Sequence, residues 1–199
     1  MPEGAERYKP LSLQEQVKSS FLEGAVATSL EEVPSLLEAG SHVVFYEDTG
    51  SVDSRIFEEV FGSITDIDKS FTGYDAIERL EKEFEGHLHA TELKEKIVGD
   101  IQNILRIFPK KRLRALLLRS FRWPSARGIG PGPWHADDVP VRVLKTYAGP
   151  ATEYSLSSGG EVVLSPPTGT TTFHTRKARH RRPAMAIGTY RAQILIDLV

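Results

Sequence analysis

The sequence predicts an α+β fold in which helices lead and an antiparallel β-sandwich or barrel follows. Two observations carry this. Up to about residue 105 apolar residues recur at a spacing of three to four, and from residue 112 they recur in twos. Several short β-rich segments then succeed one another with Gly and Pro between them, as hairpin-connected strands require. With 199 residues and 40% apolar composition the chain reads as one domain, 1-199. Within it, 1-110 is mainly helical with one early strand and 111-199 is mainly antiparallel β.

In chain order, residues 12–23 and 30–39 have helical spacing, and the run His42-Val43-Val44-Phe45-Tyr46 forms the early strand. Asp53 caps a helix over 54–61. The segments YDAIERLEKEF and TELKEKIVGDIQNILRIF are helices, the second with Thr91 as N-cap and Leu93, Ile97, Ile101, Ile104 and Leu105 on one stripe. In RLRALLLRSFR, Leu113, Ala115, Leu117 and Phe121 face one way and Arg112, Arg114 and Arg122 the other. The loop WPSARGIGPGP follows, then strands over 139–147, 152–156, 161–164, 170–174 and 190–198.

Composition narrows the chemistry. Cysteine is absent, which excludes disulfides, thiolate zinc sites and iron–sulfur clusters, so a metal would need His, Asp, Glu or water. No apolar run reaches the roughly 18 residues of a spanning helix, and the N-terminus lacks the pattern of a secretory signal; the expected location is cytoplasmic, without membrane partners. The net charge of −2 conceals a division: residues 1–105 carry 9 Lys+Arg against 22 Asp+Glu, and residues 106–199 carry 16 against 5. An acidic helical half docked on a basic sheet accounts for this, as does a pocket for small anions. A nucleic-acid surface is the weaker reading, because no aromatic residues interleave with the basic run.

His135-Ala136-Asp137 lies where the Gly/Pro loop meets the next strand. Residues i and i+2 of an extended chain share a face, so this imidazole and carboxylate can converge on one ion. A third ligand must come from a distant strand, and His174 and His180 are the candidates, since His42, His87 and His89 lie in the helical half. Two imidazoles and one carboxylate on an octahedral face leave three open positions, the arrangement associated with non-haem iron(II) centres. Arg176, Lys177, Arg179, Arg181 and Arg182 surround His180. Facing the ion they repel it; facing a pocket they suit an anionic ligand.

Residues 134–154, WHADDVPVRVLKTYAGPATEY, and the later His180, Arg181, Pro183 and Arg191 carry a resemblance. The pattern resembles the bacterial family called domain of unknown function eighteen twenty-six, matching at His135, Asp137, Arg142, Leu144, Thr146, Tyr147, Gly149, Pro150, Thr152 and Glu153. It covers roughly residues 112–199, and departs at Ala151, Tyr154 and Arg182, where the family has glycine, tryptophan and serine. More widely the chain is similar to iron(II)/2-oxoglutarate-dependent oxygenases.

That resemblance implies a double-stranded β-helix, or jelly-roll and cupin-like core, with the N-terminal helices packed against it. It implies Fe(II), 2-oxoglutarate as co-substrate and O2, with His135, Asp137 and His180 as metal ligands and catalytic residues. The short separation from His180 to Arg191 is typical of the superfamily and favours His180 over His174, which then stands behind the ligands. Arg191 holds the far carboxylate of 2-oxoglutarate through its planar fork, helped by Thr146 or Tyr147. Substrate contacts come from Arg122, Trp123, Trp134 and Arg142, together with Arg119 and Phe121. Arg142 either faces the pocket or pairs with Glu153. The expected reaction is hydroxylation, desaturation or ring closure of a small polar, amino-acid-like substrate, with Asp137 occupying the position that a halide would need. A cupin-type enzyme without 2-oxoglutarate, and a metal-homeostasis or sensor protein without turnover, are the alternatives.

Overall fold

Strict alternation along the C-terminal strands produces a sheet that is covered on both faces. The computed structural model describes residues 12–18, 24–48, 56, 67–73, 75–85, 90–122, 130–155 and 163–199. In order these form α1 (Leu13–Lys18), β1 (Gly24–Ala27), a 3-10 turn (Leu30–Glu32), α2 (Val33–Glu38), β2 (Val43–Tyr46), β3 (Ile67–Phe71), α3 (Ala76–Lys82) and α4 (Ala90–Ile107). The second half contributes β4 (Leu113–Arg122), β5 (Val141–Ala148), β6 (Glu153–Ser155), β7 (Val163–Leu164), β8 (Thr171–His174), β9 (His180–Arg181) and β10 (Tyr190–Leu198).

The described strands make two sheets, one of seven in the order β1-β2-β8-β5-β10-β4-β3 and one of three in the order β7-β6-β9. All pairings are antiparallel except β1 with β2. From β5 onward the chain crosses repeatedly between the sheets, consistent with a jelly roll.

On β10, Tyr190, Ala192, Ile194, Ile196 and Leu198 join one apolar cluster with Val141, Val143 and Phe173 of the neighbouring strands. The same cluster contains Leu80 of α3 and Leu93, Ile97, Ile101 and Ile104 of α4. Alternate residues of the strands point between the two sheets. There Val43 and Phe45 pack with Tyr154 and Leu164 in a second cluster, beside Arg191, Gln193 and Asp197.

Opposite charges from the two halves of the sequence meet on the helix-facing side. Lys145 Nζ lies 2.7 Å from Asp48 and 2.9 Å from Asp100, and Lys96 lies 3.0 Å and 3.1 Å from the same two carboxylates.

Several local expectations change. The first half contributes three strands where periodicity marks one: β1 and β3 are sheet edges, too short and irregular to alternate clearly. Thr91 lies inside α4, whose described part already begins at Ala90. In β4 it is Leu116 and Leu118 that are buried against the helices, whereas Arg119, of the other parity, lines a cavity between the sheets. The helix over 54–61 and its cap, and residues 161–162, lie outside the described residues.

Candidate metal centre

A single rung crosses three strands beneath the candidate site. His174 of β8 pairs with Arg142 of β5, which pairs with Asp197 of β10. All three side chains project between the sheets. Opposite this rung, His135 forms an isolated bridge with His180 of β9, through reciprocal backbone hydrogen bonds of 3.0 Å and 2.9 Å. Asp137 follows in the irregular segment that leads to β5.

The bridge brings the two imidazole rings to 4.4 Å between centroids. One ligand atom from each of His135, Asp137 and His180 lies within 4.8 Å of the others. His180 Nε2 is 3.2 Å from Asp137 Oδ2. An octahedral ion with bonds of about 2.1 Å separates adjacent ligand atoms by roughly 3 Å, so this edge already has the spacing of a ligand pair. Tautomers agree with it. His135 Nδ1 faces the Pro133 carbonyl at 3.1 Å and His180 Nδ1 the Ala178 carbonyl at 3.3 Å, so each ring donates through Nδ1 and presents the Nε2 lone pair. In that tautomer the His180 and Asp137 lone pairs face one another and repel, and a cation between them reverses the sign.

His174 is buried and has a different role. Its Nε2–H donates to Asp137 Oδ2 at 3.0 Å, and its Nδ1 accepts from the Tyr154 hydroxyl at 3.2 Å. Burial holds its pKa down to about 4, against the opposing pull of Asp137. Burial works against the charged form of Asp137, but the hydrogen bond from His174 and the charge of Arg142 outweigh it and hold the carboxyl well below the usual range. Arg142 Nη1 lies 2.6 Å from Asp137 Oδ1, and its Nε and Nη2 grip Asp197 at 2.6 Å and 2.8 Å.

Next to these residues is a cavity of about 100 Å³, lined among others by His135, His180, Arg119, Arg182, Arg191 and Gln193. Arg191 is 3% exposed and donates to the Pro150 carbonyl at 2.8 Å and Thr152 Oγ1 at 3.0 Å. No carboxylate among the described residues forms an ion pair with it. Burial, with the nearby Arg182 and Arg119 charges, lowers its pKa to about 10. Gln193 Oε1 is buried with no partner. Gly149 places the carbonyl of Pro150: its φ is +75°, and a Cβ there would stand 2.0 Å from the Tyr190 carbonyl oxygen.

The fold is one that solved dioxygenases have. The rice dioxygenase for auxin oxidation superposes with a TM-score of 0.54 at 11% identity, covering 88% of this chain and 82% of that one. The corresponding dioxygenase of Arabidopsis thaliana, solved as a binary complex with 2-oxoglutarate, gives 0.54 and 11%, over 88% of this chain and 91% of its own. At such identity the likeness is one of fold alone. No family model and no curated protein sequence matches the chain, so the narrower family resemblance has no match behind it.

The structure places the site residues expected from sequence differently from one another. His135, Asp137 and His180 come together, with Arg142 and Arg191 beside them. Thr146 is buried on β5 in register with Gln193, on the same parity as Arg142 and Leu144. Tyr147 is turned the other way: its hydroxyl donates to Asp100 at 2.9 Å on the helix-facing side, so it does not help Arg191. Arg142 pairs with Asp137 and Asp197, and Glu153 is taken by Arg181 at 2.7 Å. Trp134 stacks under the Arg181 guanidinium at 4.3 Å and is absent from the cavity wall. Trp123 and the side chains of Phe121 and Arg122 lie outside the described residues. Sequence reasoning missed Thr152 and Gln193. The spacing Arg-x-Gln on a strand, which repeats one face, was the available signal for Gln193.

Proposed function

We propose that this chain is an iron(II)- and 2-oxoglutarate-dependent oxygenase that oxidises a C–H bond of a small polar, amino-acid-like substrate. The observation that carries the reading is the convergence of His135, Asp137 and His180 beside a cavity walled by Arg191. The donor set suits the ion: two neutral imidazoles and one carboxylate favour a divalent metal of intermediate softness and leave open positions. The cavity suits the co-substrate, since a buried guanidinium without a carboxylate favours a hydrogen-bonding anion, and the Gln193 amide, whose oxygen has no partner to hold it, can turn its NH2 toward one.

His135, Asp137 and His180 would hold the iron. Arg191, set by Pro150 and Thr152, would take the far carboxylate, and a half-turn of the Gln193 amide would present its NH2 to the same anion. Bound iron and 2-oxo acid together supply dioxygen activation, which oxidises the C–H bond while the 2-oxo acid leaves as succinate and carbon dioxide. The chain's own residues fix position and keep water out: Leu144, Leu195 and Tyr154 furnish apolar surface around the polar groups. The surplus of arginines fits a substrate that is anionic or zwitterionic. The sheet-borne charges also have carboxylate partners within the chain, which leaves less reason for a nucleic-acid surface.

Anaerobic addition of Fe(II) and then 2-oxoglutarate tests this. A weak visible charge-transfer band is expected, lost in His180→Ala because the ion no longer binds. Iron binding without any 2-oxoglutarate binding would overturn the co-substrate and leave a cupin-type enzyme; tight binding of metal and 2-oxoglutarate with no oxygen-dependent succinate would favour a sensor.

A further inference from the structure

The Asp137 carboxylate is held more firmly than a metal ligand alone requires. Each of its oxygens has its own donor: Arg142 Nη1 at 2.6 Å on Oδ1 and His174 Nε2 at 3.0 Å on Oδ2. Both donors are themselves anchored. Asp197 takes two other nitrogens of Arg142, and Tyr154, wholly buried, donates its hydroxyl to His174 Nδ1. The anchors matter because each removes an alternative. With Asp197 engaged, the guanidinium cannot swing to grip Asp137 through both oxygens, and with Nδ1 accepting from Tyr154, the His174 proton must sit on Nε2.

A carboxylate has about four lone-pair sites, two on each oxygen. Oδ2 gives one to His174 and keeps one directed towards His180 Nε2, 3.2 Å away. Oδ1 spends one lone pair on the 2.6 Å ion pair with Arg142, and swinging its other one toward the same ion would pull it off that short contact. Arg142, His174 and Asp197 occupy one cross-strand rung, so the two donors and the anchor of Arg142 are set by sheet register.

Resting on the metal-centre reading above, we infer that Arg142 and His174 are positioning residues that clamp Asp137 by one oxygen each, so that Asp137 meets the metal through Oδ2 alone and three coordination positions stay open. A chelating carboxylate would close one of the three positions that a bidentate 2-oxo acid and dioxygen need together.

The test uses Mn(II) as the probe, with free ion counted by electron paramagnetic resonance and metal-bound water by proton relaxation. Wild type is expected to bind one Mn(II) with about three waters. His174→Leu fills the same space without a donor and is expected to weaken binding about 10- to 100-fold, the usual effect of losing such a partner. His174→Gln, which returns an N–H near the Nε2 position, should recover most of it; a purely space-filling role would be served better by Leu. Arg142→Met frees Oδ1 and should lower the bound-water signal by about a third. Wild type that binds no Mn(II) overturns the metal centre and the clamp together. Wild-type binding intact, with unchanged affinity in His174→Leu and unchanged water in Arg142→Met, overturns the clamp alone. Failure of His174→Gln to recover affinity also overturns it, since His174 would then be a ligand.

Discussion

The seven-stranded sheet buries charge on both faces, and two of its buried cations, Lys145 on one face and Arg191 on the other, are treated oppositely. On the helix-facing side Lys145 and Lys96 meet Asp48 and Asp100, and the Tyr147 hydroxyl completes Asp100: two cations, two anions and every distance near 3 Å. Between the sheets, Arg191 is as deeply buried as Lys145, yet only a carbonyl and a hydroxyl accept from it, and its neighbours Arg119 and Arg182 add to its charge. A buried charge that is paired stabilises its own neighbourhood, whereas one left beside like charges opposes folding and is kept for what it binds. By that criterion the first cluster is structural and the second is the candidate for binding an anion.

Removal of single members should separate the two. Lys145→Met leaves Asp48 and Asp100 to share Lys96 and is expected to lower stability by about 3–5 kcal/mol in urea titration; a loss below 1 kcal/mol would mean that the helix-facing cluster is not a closed ion network. Acid should act next most strongly, on the site side. His174 has a folded pKa of about 4 against an ordinary value near 6.5, so the unfolded chain takes up its proton first. Stability of the metal-free protein is therefore full above pH ~6.5 and falls by about 3 kcal/mol as the pH drops to ~4, a slope that should vanish in His174→Gln. Arg191→Met should move stability the other way, raising it by about 1–3 kcal/mol while abolishing 2-oxoglutarate binding; a destabilised variant would show that Arg191 is a paired structural charge after all. The smallest effect is at the rim, where Trp134→Leu removes the face on which Arg181 rests and should cost about 0.5–1 kcal/mol without altering metal affinity.

Much of this contrast was legible in the sequence because strand parity is a local property. Val141 and Val143 mark one face of β5, so Arg142 must take the other, and the Arg191, Gln193 and Asp197 series follows the same rule on β10. Parity also explains the failure at Tyr147. Thr146 and Tyr147 are adjacent and cannot both face Arg191; the shift in register between Ala192 and Gln193 obscures which one does. His135 and Asp137 were visible as a spaced pair, although Asp137 proves to lie beyond the bridge, outside any strand. That His174 stands behind the ligands was expected from the sequence; its partner was not legible, since nothing local tells that its Nε2 meets a carboxylate 37 residues away. Nor were β1 and β3, which take their strand conformation from partners at distant positions.

The bridge between His135 and His180 has a kinetic consequence. Two backbone hydrogen bonds fasten these two proposed ligand residues to one another directly, so their separation is set without any ion. Most of the ordering entropy of the site is then spent during folding, and capture of the metal needs little rearrangement. An ion should therefore enter and leave a standing socket, with exchange limited by water release and ligand dissociation, while the surrounding sheets stay folded.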